Sequence, residues 1–138
     1  MNGMVGAVLA CLLAGASAAA AQDVSKCVMQ TGMSIQKGWI APEIFVMRDP
    51  ASGKIEVIDG IVAAFNKDKP IEARLISEKD ISRTFGWSLY LINGAGQRTK
   101  MQYQAALFLG TGELHVTARP IGFRDVFSAT GKCKPYTG

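Results

Sequence analysis

The sequence holds one histidine, His115, so any imidazole-dependent hydrolysis must run through it. A histidine base needs a nucleophile within hydrogen-bond reach and a carboxylate that fixes its tautomer. In the stretch ELHVTAR, strand alternation puts His115 on one face with Glu113, Thr117 and Arg119, opposite Leu114 and Val116. That face is either solvent or the lumen of a barrel, so His115 reads first as a surface histidine and second as a ligand contact. Two carboxylate pairs, Glu56 with Asp59 and Glu78 with Asp80, have the residue types for acid–base work on a glycosidic bond. Asp59-Gly60, however, reads equally as a turn, and Glu78 to Asp80 as a solvated loop. No serine after the leader sits in a G-x-S-x-G or S-x-x-K setting with a catalytic partner beside it. The glycine runs NGAGQ and GTGELH lack the third glycine or the Gly-Lys-Ser/Thr ending of a phosphate loop and are better explained as hairpin turns. No catalytic set, metal ligand set or cofactor is expected.

The cysteines are more informative. Residues 1–21, with an apolar run from Val5 to Leu13 and small residues at Ala19, Ala20 and Ala21, read as a cleaved signal peptide. The run has no Lys or Arg before it, and the first charged residue is Asp23. A retained anchor is disfavoured by the alanine-rich composition, and a lipobox at Cys11 by the short apolar run. Cleavage removes Cys11 and leaves Cys27 and Cys133 in a single mature domain, residues 22–138. Two cysteines with no C-x-x-C and a lone histidine make a zinc site improbable and a disulfide the expected outcome in an oxidising compartment. The expected location is therefore the periplasm or the cell exterior. The alanine-rich leader and the lack of an N-x-S/T sequon lean toward a bacterial envelope.

The chain is 49% hydrophobic and 19% charged, a globular composition, with a net charge of +4. Its basic residues are spread rather than clustered, which predicts no nucleic-acid partner and at most weak attraction to anionic envelope polymers or a membrane surface.

The elements that must position these side chains are strands. Ile44 to Arg48, the turn Asp49 to Gly53 and the alternating KIEVID predict a hairpin. IEARLISE alternates Ile71, Ala73 and Leu75 against Glu72, Arg74 and Glu78, while Glu78 to Gly86 is ambiguous and can hold a turn of helix. Trp87, Leu89 and Leu91 oppose Ser88, Tyr90 and Ile92, and Asn93-Gly94 suits a tight hairpin turn. Met101, Tyr103, Ala105 and Leu107 then oppose Arg98, Lys100, Gln102 and Gln104. About seven to nine short strands with short connections predict an all-β domain, an antiparallel meander closed as a barrel or packed as a sandwich.

In architecture this resembles small bacterial envelope β-barrels, including lipocalin-like binders and inhibitors of lysozyme or proteases. It departs from them in motif: Gly38-Trp39 lacks the intervening residue of a lipocalin G-x-W, and no S-G-x-x-Y loop is present. The expected function is binding, to an envelope protein or a small apolar ligand, with Trp39, Trp87, Tyr90, Tyr103 and His115 as candidate contacts. The alternatives are a small hydrolase using His115 or a carboxylate pair, and a structural envelope component.

Overall fold

The computed structural model describes residues 22–30 and 32–137; the leader expected over residues 1–21 lies outside them. Eight strands follow one another: β1 (Asp23–Met29), β2 (Glu43–Arg48), β3 (Ile55–Asp59), β4 (Ile71–Glu78), β5 (Ser82–Ile92), β6 (Arg98–Phe108), β7 (Glu113–Pro120) and β8 (Phe127–Pro135). Two short helices interrupt them, α1 (Met33–Gln36) and α2 (Gly60–Phe65). Each strand pairs antiparallel with the next, and β1 pairs with β8, so the meander closes as a barrel rather than stacking as a sandwich.

Alternation decides which side chains fill the barrel. Ile55 and Val57 on β3, Phe85, Trp87 and Leu89 on β5, Met101, Tyr103 and Ala105 on β6, and Leu114, Val116 and Ala118 on β7 are all buried. Their neighbours in sequence point outward, which a two-residue period requires once one face is apolar. Cys27 and Cys133 stand directly opposite each other on β1 and β8 and are joined in a disulfide. The bridge thus lies on the seam where the first and last strands meet, and it is compatible with an oxidising location.

Four local expectations come out differently. The apolar run after Asp59 is helix α2, because the Asp59 side chain accepts the Val62 N–H at 2.7 Å and caps it instead of forming a simple turn. The ambiguous segment after Glu78 is extended from Ser82 onward as the start of β5. Alternation on β4 breaks between Leu75 and Ser77, where a bulge shifts the register, and Leu75 and Ile76 are both exposed. In the β5–β6 hairpin the left-handed residue is Gly96 (φ +81°) rather than Gly94, and Asn93 Oδ1 accepts the N–H groups of Ala95 and Gln97, which makes a three-residue loop.

Because the strands alternate in direction, the loops alternate in position. The β1–β2, β3–β4, β5–β6 and β7–β8 connections share one end of the barrel. The other three connections, with Asp23 and Pro135, lie at the opposite end.

Candidate binding surface

The aromatic candidates divide between interior and exterior. Trp87 is buried, stacked on Tyr103 (5.4 Å between centroids, 8° between planes) and beside Phe85 (6.1 Å). Its indole N–H has no acceptor among the described residues, so packing rather than hydrogen bonding holds it. The Tyr103 hydroxyl donates to the Trp39 carbonyl at 3.0 Å, and the half-buried Trp39 ring stacks on Phe127 at 5.1 Å. Together with Ile40 and Ala41, both buried, Trp39 closes one end of the barrel. Tyr90 and His115 are exposed on the outer wall. The structure therefore brings Trp39, Trp87 and Tyr103 together inside and leaves Tyr90 and His115 apart from them.

His115 contacts Glu113 on its own strand and meets the Phe108 ring edge-on at 5.1 Å. Glu113 is its only hydrogen-bond partner among the described residues, so the pair holds no nucleophile. Ser34 and Lys37 do stand in Ser-x-x-Lys spacing at α1, but Ser34 is buried and Lys37 exposed. The carboxylate pairs do not converge either. Glu56 and Asp59 are three apart on β3 and face opposite sides of the sheet, while Glu78 is held by Arg83 at 2.6 Å. The Arg83 hydrogen bond and charge keep Glu78 ionised below its usual range. No cluster of three or more His, Cys, Asp or Glu among the described residues is placed to hold a metal.

Asp59 is the one buried carboxylate among the described residues. Desolvation raises its pKa against the lowering effect of the Val62 and Ile61 N–H groups, and burial, with Asp59 nearby, pushes the Tyr103 phenol well above its ordinary value. A raised folded-state pKa means that the folded protein holds this proton more tightly than the unfolded chain. The stabilisation is full below the ordinary carboxylate range and is lost as pH rises through the raised value. Asp59→Asn keeps an acceptor for Val62 and removes the charge. Its stability relative to wild type should therefore rise between acidic and neutral pH and then level off in urea titrations. Asp59→Ala, which loses the cap, should cost about 1 kcal/mol at acidic pH, where Asp59 is neutral.

A concavity lies on the outer wall, across β4 to β7. The register lines up Arg74, Gly86, Gln104 and Thr117 in one row and Ser88, Gln102 and Arg119 in the next. Gly86 leaves the first row without a side chain at its middle. A Cβ there would stand 3.0 Å from the Tyr103 carbonyl oxygen and 3.2 Å from Ile76 Cδ1. The resulting groove is about 530 Å³ and polar, with Lys100 and Glu72 at its margins. Glu72 is engaged by Lys54 at 3.9 Å, whereas Arg74, Lys100 and Arg119 form no ion pair among the described residues. Ser88 also lines a second hollow of about 460 Å³ beside α2, where Phe65, Ile92 and Tyr90 surround Arg98, whose guanidinium lies 4.2 Å over the Tyr90 ring.

Of the contacts expected from sequence, Trp87 and Tyr103 back this groove and Tyr90 lines the second hollow, whereas Arg74, Gly86, Lys100, Gln102 and Arg119 were not among them. The polar face of β6 was visible as an alternation, but its neighbours on β4, β5 and β7 depend on register. Comparison with protein families, with curated proteins and with solved structures returns no match. Fold and surface define the class: a disulfide-closed, eight-stranded antiparallel barrel with a filled interior and a cationic groove on its wall.

Proposed function

We propose that this protein is a binding module of the bacterial envelope, exported by the leader at residues 1–21, which engages an acidic envelope protein through the β4–β7 groove. The observation that carries this is the convergence of Arg74, Lys100 and Arg119 on one groove, where none of the three forms an ion pair among the described residues and the marginal Glu72 is engaged by Lys54. Like charges held together on a folded surface repel, and an anionic partner relieves that repulsion. Gln102, Gln104, Ser88 and Thr117 supply donors and acceptors between the cations, which suits a polar segment of a folded partner more than an apolar small molecule. The barrel interior offers an apolar ligand little room, since the stacked Phe85, Trp87 and Tyr103 occupy it. An inhibitor-like mode, in which the barrel blocks an acidic site on its partner, fits the same geometry. The Cys27–Cys133 bridge supports the oxidising compartment.

The test is capture from an envelope extract by tagged wild type and by Arg74→Gln/Arg119→Gln. Wild type should retain an acidic protein at low ionic strength and release it as salt rises. The double variant should bind it at least about tenfold more weakly, since each lost charge-assisted contact is worth roughly 1.5–3 kcal/mol. Equal retention by both proteins would place the partner elsewhere.

A further inference from the structure

The two ends of the barrel differ in chemistry. The four loops at the α1/α2 end carry Lys37, Lys67, Lys69 and Arg124 against Asp68 and Asp125. The three loops at the other end balance, Asp49 with Lys54 and Lys79 with Asp80, and the β6–β7 loop is uncharged. Both ends expose large apolar side chains, Ile81 and Leu109 at the balanced end, but only the cationic end combines them with an excess of positive charge. In the short β7–β8 loop Ile121 is 46%, Phe123 63% and Val126 50% exposed, and Ile92, at the tip of the neighbouring hairpin, is 56% exposed.

These residues form one surface. The Ile121 N–H donates to the Lys100 carbonyl at 2.9 Å, extending the β6–β7 ladder beyond Pro120, and Ile92 faces Arg98 across the β5–β6 pair. Arg98 and Arg124 form no ion pair among the described residues.

We propose that this end of the barrel docks on an anionic lipid surface, with Ile121, Phe123 and Val126 entering the headgroup region and Arg98 and Arg124 on the phosphates. Apolar tips interleaved with cations match an interface whose outer layer is anionic and whose next layer is hydrocarbon. A protein partner would instead have to offer pockets for Ile121, Phe123 and Val126, whose loop lines neither hollow. The barrel itself is apolar inside and charged outside, the reverse of a membrane-spanning barrel, so lipid contact falls to the loop tips. Asp23 and Pro135 lie at the far end, which leaves both ends of the described chain clear of the surface. This docking goes beyond the groove and does not depend on it.

Flotation with phosphatidylcholine vesicles, with and without phosphatidylglycerol, tests the proposal on the purified protein. Binding to the mixed vesicles should exceed binding to phosphatidylcholine alone and weaken as salt rises. Phe123→Ser/Ile121→Ser should lower partitioning about tenfold or more, because two apolar side chains no longer leave water. Arg98→Gln/Arg124→Gln should lower it about thirtyfold at low salt. All four side chains are exposed, so unchanged thermal unfolding will show that each variant is folded. No flotation with mixed vesicles, equal flotation with both lipids, or flotation indifferent to the Phe123/Ile121 change would overturn the proposal. So would equal binding of wild type and the Phe123/Ile121 variant to soluble dextran sulfate at the affinity seen for vesicles, which would mark a polyanion site. Arg74→Gln/Arg119→Gln should still float, which separates failure of the groove from failure of the lipid contact.

Discussion

Replacing both cysteines, Cys27→Ala with Cys133→Ala, should remove about 4–5 kcal/mol of stability, a large share of what a domain of this size holds. The bridge joins residues 106 apart, so breaking it returns to the unfolded chain nearly all the freedom that a domain-sized loop closure removes. It also sits where topology is most exposed to failure. Every other pair of neighbouring strands is consecutive in the chain, whereas β1 and β8 meet only because the barrel closes, over the five paired positions from Ser25–Pro135 to Met29–Gly131. If that seam opens, both strands become free edges with unpaired backbone groups, and the apolar interior gains a slot to water. Urea unfolding of the oxidised protein and of the double variant, read by intrinsic tryptophan fluorescence, measures the difference. A loss below about 1 kcal/mol would show that backbone pairing alone holds the seam.

The disulfide was legible because it needed only a count: two cysteines beyond the expected leader and no metal company for them. The barrel walls were legible for a different reason. On β5 and β6 the two-residue period separates Trp87, Leu89, Met101, Tyr103 and Ala105 from Ser88, Tyr90, Gln102 and Gln104 without reference to any partner strand. Helix α2 escaped because GIVAAF is apolar throughout, and a six-residue apolar run has no period that distinguishes helix from buried strand. Its one signal was Asp59, which reads as a turn residue until its side chain is seen to cap Val62. The groove escaped for a deeper reason. Arg74, Gly86, Gln104 and Thr117 come from four strands, and their adjacency is a property of register, which the bulge between Leu75 and Ser77 alters. His115 could be assigned to a face but not to a side. Only the burial of Leu114, Val116 and Ala118 turns that face outward.

Gly131→Ala should be the most damaging single substitution on the seam, costing about 3 kcal/mol or more. Its backbone conformation is open to any residue, so the cost is purely steric. A Cβ at Gly131 would lie 2.5 Å from the Val28 carbonyl oxygen, 2.7 Å from Met29 Sδ and 2.8 Å from Met29 Cα. Met29 Sδ belongs to a flexible side chain and can move, but the other two atoms are β1 backbone. That backbone cannot retreat easily, because Cys27, two residues before Met29, is bonded to Cys133 on the strand that carries Gly131. Gly94→Ala, with no atom within 4 Å of its Cβ, is the matched control and should change stability by less than about 0.5 kcal/mol. The constraint also predicts a coupling. With both cysteines replaced, β1 is free to shift away from β8, and Gly131→Ala should cost about 1 kcal/mol less than it does beside the intact bridge. An equal cost in the two backgrounds would mean that strand pairing holds β1 in place without the disulfide, and the bridge would then act mainly on the unfolded chain.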